Sequence, residues 1–328
     1  MNHHKKEIYI NIYFKMTKHP NAEFRKLVKV VRDIEKKKEI YPEQEPRKIH
    51  WHNYNSSKIN EYKIFNFIRE AVNKIDYSPT RNVGRPSVNP KVLVKAILVA
   101  ETMKFPERQT QGFLEIIGSF VGIHEIVDDR VLGKAYDNPI VAKILYEIFL
   151  QNKSSDGVLG GDGTGLERSR KENYESIKEK KAGQYMVSIV DSREIVQTFD
   201  ISGTQECKIM HELIKDVDGK SLRLDAGFNN RELVKEISEL GMTPFIFPKC
   251  INNINGDPYW QKMYLSFFND VVGWLVEYHK RNHTESFHSS FKRTFGILTK
   301  LKLTAKFIQV CARIIIHNYQ RLSYFEKD

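Results

Sequence analysis

Cysteine is almost absent from this chain: Cys207, Cys250 and Cys311 are the only three in 328 residues. An odd number at wide spacing excludes a disulfide framework and a paired-thiolate zinc site, and fits reduced thiols in the cytoplasm. Long apolar runs are missing too. A membrane-spanning helix needs roughly 18 consecutive apolar residues, and the best stretch, Val92 to Ala100, is short and carries Lys95. Lys5 and Lys6 are not followed by an apolar core and a small-residue cleavage site, which argues against a secretory signal. No segment repeats and none is of low complexity. The expectation is a cytoplasmic globular protein with no membrane partner.

Acidic residues are the other shortage. Lys and Arg number 52 against 41 Asp and Glu, a net charge of +11 with a pI near 9.3. The imbalance is local: residues 1–90 hold 19 basic and 10 acidic residues, whereas the other 238 hold 33 and 31. Concentrated positive charge attracts polyanions, either nucleic acid or an acidic membrane surface. The plain alternative is a solvated basic surface.

Residues 1–83 read as a basic, aromatic region, partly flexible and suited to DNA contact. It has a Lys36-Lys37-Lys38 run, a break from Pro42 to Pro46, and helical periodicity from Glu61 to Lys74. Gly84-Arg85-Pro86 reads as a turn, and Asn89-Pro90 opens an apolar helix through Met103. Further helices are expected after Pro106 and from Pro139 to about Leu150, making residues 84–150 a helical region. Three helices in a row form either a helix-turn-helix-like DNA-binding unit or ordinary packing; periodicity does not separate the two.

The pattern changes over residues 151–328. Val158 to Asp162, Gln184 to Asp191 and Ile195 to Ile201 read as three antiparallel strands. A helix over Glu206 to Lys215, a strand over Ser221 to Asp225, a helix from Arg231 to Leu240 closed by Gly241, and a strand over Thr243 to Phe247 follow. One long helix is expected from Val271 past Phe291. The class is α/β, a mixed sheet flanked by helices and preceded by a basic, mainly helical region.

Two acids sit where ligands gather. Asp162 lies within Gly160-Gly161-Asp162-Gly163-Thr164-Gly165, where the glycines admit close approach of backbone or polyanion. The Lys-Ser/Thr ending of a phosphate-binding P-loop is missing. Asp225 ends its strand, at the sheet edge where α/β proteins bind ligands. Taken singly, each reads equally as a turn or cap residue.

The third acid is on a helix. Tyr278, Arg281, Glu285 and Lys292 are three, four and seven residues apart, which stacks them on one helical face. Phe287 and Phe291 fall on the opposite face, toward the sheet. A salt-bridged, solvated face is the plain reading of that pattern. His279, His283 and His288 read as DNA-contacting or surface residues, and His50-Trp51-His52 lacks further ligands for zinc. Tyr259, Trp260 and Tyr264 read as core.

Tyr-x2-Arg-x3-Glu-x6-Lys, with Asp162 and Asp225 ahead of it, resembles the signature of DDE transposases of bacterial and archaeal insertion sequences. The resemblance covers about residues 155–320 and implies a ribonuclease-H-like core. It also implies a triad, Asp162 on the first strand, Asp225 ending the fourth and Glu285 on the following helix. Only 59 residues separate Asp225 from Glu285; where some relatives insert a β-rich subdomain, this chain has room for little more than a loop. The implied cofactors are two Mg²⁺ or Mn²⁺ ions, Asp162 bridging both while Asp225 and Glu285 hold one each. Arg281 and Lys292 would contact phosphates, and Tyr278 a phosphate or a displaced base. The implied activity is cleavage at the element's ends and strand transfer into target DNA, by a homodimer on double-stranded DNA. The rivals are a nuclease without strand transfer and a non-catalytic, domesticated DNA-binding protein.

Overall fold

The computed structural model describes residues 20–36, 48–59, 61–77, 88–166, 184–202 and 205–325. The Gly84-Arg85-Pro86 turn, the Pro42 to Pro46 break and the first 19 residues lie outside them. Among these residues seven helices come first: α1 Pro20–Lys36, α2 Trp51–Ile59, α3 Glu61–Lys74, α4 Pro90–Met103, α5 Glu107–Val121, α6 Asp129–Ala135 and α7 Pro139–Gln151. Strands β1 Val158–Gly165, β2 Tyr185–Val190 and β3 Val196–Ser202 follow, then α8 Glu206–Leu213, β4 Ser221–Leu224, α9 Arg231–Glu239 and β5 Thr243–Ile246. Four helices close the chain: α10 Pro258–Asn269, α11 Val271–His279, α12 Asn282–Phe295 and α13 Leu303–Phe325. No helix among the described residues is long and apolar enough to cross a membrane.

Local chemistry sets many of these boundaries. The helices α4, α7 and α10 each begin with an Asn or Asp whose side chain accepts backbone N–H groups, followed by Pro at the first turn. Such a cap satisfies donors the helix itself leaves orphaned, and Pro gives up an N–H that would have been unused. Gly241 closes α9 at φ +83°, a left-handed conformation costly for side-chain-bearing residues.

The five strands form one mixed sheet in the order β3-β2-β1-β4-β5. Pairs β1–β2 and β2–β3 are antiparallel, and β1–β4 and β4–β5 parallel. Alternation along β2 sends Met186 and Val190 to one face, Val187 and Ile189 to the other. The first face packs on α7, α12 and α13, which α3 to α6 back, and on α11, where Phe245 meets Trp274 and Arg223 meets Glu277; α8 packs on the second face, and α1, α9 and α10 join the core there. The helical region therefore shares its core with the sheet. Phe149 of α7 packs edge-on to Phe199 of β3 at 5.3 Å, and Glu101 of α4 pairs with Arg313 of α13 at 2.7 Å, both side chains buried.

Two expectations need correction. Besides the expected α9, β5 and the helix from Val271, the 59 residues between Asp225 and Glu285 hold a further helix, α10, and no strand besides β5. The long helix from Val271 is two helices. The Arg281 N–H donates to the Tyr278 carbonyl and the Thr284 N–H to that of Arg281. These three-residue steps tighten the turn and shift the phase of everything before it.

Candidate active site

Asp162 and Asp225 are brought together by the sheet. Parallel pairing sets Gly160 opposite Arg223 and Gly161 opposite Leu224, so the next step along the two strands sets Asp162 beside Asp225. Adjacent strands lie about 4.8 Å apart. Asp162 pairs with Ser188, which bonds His288, and so belongs to the face that α12 covers; Asp225 follows the end of β4, where its charge acts on Asp162 and on Glu206 alike.

Three glycines of β1 make room for neighbours on both faces. A Cβ at Gly160 would stand 2.4 Å from Thr284 Oγ1, and one at Gly161 2.7 Å from a Leu224 methyl. Because α12 comes this close, Arg281 at its start can bond two acids at once. Its Nη1 is 3.3 Å from Asp162 Oδ2 and its Nη2 2.6 Å from Glu285 Oε1. Asp162 Oδ1 accepts the Gly163 N–H at 2.9 Å.

Burial dominates the electrostatics of Asp162. It pushes the carboxyl up to about 6, against the pull of Arg281 and the Gly163 N–H, while the charges of Asp225 and Glu285 push further. Burial also opposes the Arg281 charge, but Tyr278, Glu285, Asp162 and Asp225 more than offset it and raise its pKa.

The remaining expected residues divide. Lys292 extends the Glu285 row and lines a small cleft with Thr164 of β1. Eight residues of α12 span about 12 Å and four of β1 about 13 Å, so the helix tracks the strand from Gly160–Thr284 to Thr164–Lys292. Tyr278 leaves the row. Its ring is stacked on Trp274 at 5.2 Å and only 5% exposed, with the Arg281 guanidinium 5.8 Å above it. It supports Arg281 from the core side, so the expected one-face stack with Tyr278 turned to DNA is not what the fold gives. Trp260 and Tyr264 are core, as expected, but Tyr259 is exposed.

His283 and His288 are turned inward rather than to the surface. His288 is buried with Nε2 2.9 Å from Ser188 Oγ, and His283 Nε2 is buried with no hydrogen-bond partner. Burial pushes both rings down to about 4, so they are neutral at physiological pH.

One acid was missed. Glu206 opens α8 on the other face of β1, where a Gly163 Cβ would stand 2.4 Å from its carboxyl carbon. Burial first, then the charge of Asp225, raises its pKa. The signal was a Glu in the first turn after β3, unremarkable in sequence because acids are favoured at helix N-termini.

Asp162, Asp225 and Glu285 offer the hard oxygen donors that Mg²⁺ or Mn²⁺ prefers, and each adds charge at the others' expense. The donor chemistry fits. Among the described residues no three acids, His or Cys form a ready-made ion cage, and the Arg281 guanidinium stands between Asp162 and Glu285 instead.

This is an α/β protein whose five-stranded mixed sheet, flanked by helices, presents an arginine-bridged acidic site along one strand. No family model, no curated protein and no solved structure matches the chain.

Proposed function

We propose that the chain is a metal-dependent DNA phosphoryl-transfer enzyme, a DDE transposase with a ribonuclease-H-like catalytic layer. One observation carries this reading: Asp162 is held near pKa 6 by burial beside Asp225 and Glu285, with Arg281 joining it to Glu285. A cluster of like charges with one partly buried member is costly to a fold and serves a bound cation well. A purely DNA-binding protein gains nothing from it, since carboxylates repel phosphates.

Asp162, Asp225 and Glu285 would hold divalent cations, which supply a nucleophile at neutral pH and neutralise the leaving oxygen. Arg281, a planar fork already aimed at oxygen acids, turns one edge to a phosphate when the carboxylates are otherwise engaged. Lys292, further along the same row, adds a point charge beside Thr164. Neutral His283 and His288 pack α12 on the sheet without adding charge that would compete for the acids. The basic residues 1–90 grip the element's ends, and two copies join them.

The test is an excision assay with a marker flanked by the gene's own neighbouring DNA, in Mg²⁺, using wild type and Glu285→Ala. Cutting at both ends and joining elsewhere by wild type alone supports transposition. Cutting without joining favours the nuclease. Binding of the ends by both proteins with no cutting by either overturns the enzymatic reading.

A further inference from the structure

The helix that carries Glu285 has three faces, and only two are accounted for. At 100° per residue, Thr284, Phe287, Phe291 and Phe295 form the core side, and Arg281, Glu285 and Lys292 the site side. Ser286, Ser290, Arg293 and Thr294 occupy the rest, about a third of a turn round from Glu285. That third face is one wall of a cleft of about 530 Å³ that α4 and α13 complete.

The cleft is built for an anion. Ser286, Ser290 and Thr294 are four residues apart, a row of hydroxyls about 6 Å from one to the next. Arg293 and Lys104 are exposed on its wall, and neither side chain forms an ion pair with another described residue. Its acid, Glu194, is occupied by Arg321 at 3.8 Å. Hydroxyls and cations whose one neighbouring acid is already paired, set on rigid helices, are what nucleic-acid backbones are held by.

Lys104 adds an independent argument. It caps α4 at φ 58°, ψ 35°, a left-handed conformation that Gly adopts freely and a lysine only at a cost of about 1 kcal/mol. A lysine here sets a cation on the rim of the cleft, at a place where the fold alone would favour glycine.

We infer that this cleft is a second DNA-backbone site, which holds the duplex after it passes the Glu285 face of α12. The inference rests on the proposed activity, and extends it to residues outside the acidic site. Its substrate is phosphate of double-stranded DNA, read without regard to sequence.

The experiment measures binding of a short fluorescein-labelled DNA duplex by anisotropy, in EDTA, across about 50–200 mM salt. The variant is Lys104→Gly with Arg293→Ala. Lys262→Ala, which removes one exposed cation of α10 outside the cleft, is the control. The slope of log affinity against log salt is expected to become shallower by about two, near 0.9 for each phosphate no longer neutralised. Lys262→Ala leaves the slope unchanged. Because glycine suits residue 104, Lys104→Gly alone should melt no lower than wild type, which separates a defect in binding from a defect in folding. Equal slopes for wild type and the double variant overturn the cleft and leave the proposed enzyme standing. If wild type binds no duplex, both fall.

Discussion

Arg281 holds Glu285 from one turn earlier, Nη2 to Oε1 at 2.6 Å, and the other arm of the same guanidinium holds Asp162 on the neighbouring strand. The acidic site is thus organised by a cation of the chain's own. Arg281→Lys retains the charge but not the fork, and a single ammonium bonds one carboxylate at a time. Cleavage of DNA by Arg281→Lys is expected to fall by about tenfold to a hundredfold, and by more in Arg281→Ala. In Arg281→Ala the Asp162 carboxyl should titrate above 6, since its main opposing charge is gone. Carbon-13 NMR of the carboxyl reads that directly, and an unchanged value would remove Arg281 from the site's electrostatics.

Asp162→Asn retains the shape of the side chain and removes the buried charge. Asp162 is ionised above about 6, with its side chain only 21% exposed, so the folded protein at neutral pH carries a desolvation penalty that asparagine avoids. The variant is expected to be inactive yet more stable by about 1 kcal/mol. Urea denaturation at pH 7.5 checks it; a less stable Asp162→Asn would mean that the bond to Arg281 outweighs burial.

The glycines of β1 should rank by what a methyl would strike. At Gly160 it meets Thr284 Oγ1 close to the α12 backbone, whereas at Gly163 it meets the free end of Glu206. Gly160→Ala must displace the helix and is expected to cost about 2–3 kcal/mol, Gly163→Ala about 1 kcal/mol. Glu206→Ala should relieve Gly163→Ala, so the double variant loses less than the two singles added together. Additive losses would mean that the two side chains do not share that space.

His288 predicts a pH dependence. Burial first, then Lys292 and Arg281, push its pKa from 6.5 down to about 4. Protonation therefore favours the unfolded chain, and this contribution is intact above pH 6.5 and is lost as pH falls toward 4. Asp162, whose pKa is raised, works the other way, but it is present in wild type and in His288→Gln alike. Between pH 7.5 and 5 wild type is expected to lose about 2 kcal/mol more than His288→Gln. Parallel stability curves would show that the ring is not held neutral.

The sequence and the structure agree best where chemistry is local. The Asn-Pro starts of α4 and α7, the glycine-flanked Asp162 and the four-residue step from Arg281 to Glu285 are all short-range patterns, and the structure follows them. What was not legible depended on phase or on distance. Tyr278 was assigned to the Glu285 face by counting 3.6 residues per turn through a segment that takes two three-residue steps. Glu206 is 44 residues from Asp162 in the chain and reaches it only across the thickness of β1. Asp257-Pro258 at the head of α10 carries the same start signal as α4, in a stretch expected to hold little more than a loop where some relatives insert a subdomain.

The core that α3 to α7 share with β2 and β3 bears on how this protein can be taken apart. A fragment beginning at residue 151 would keep all three acids, yet it would uncover Phe199 and the α4-facing side of α13, and leave Arg313 buried without Glu101. Such a fragment should aggregate rather than cut DNA. The helices ahead of the sheet complete the interior on one of its faces, and so the smallest unit that can be expressed and assayed includes them.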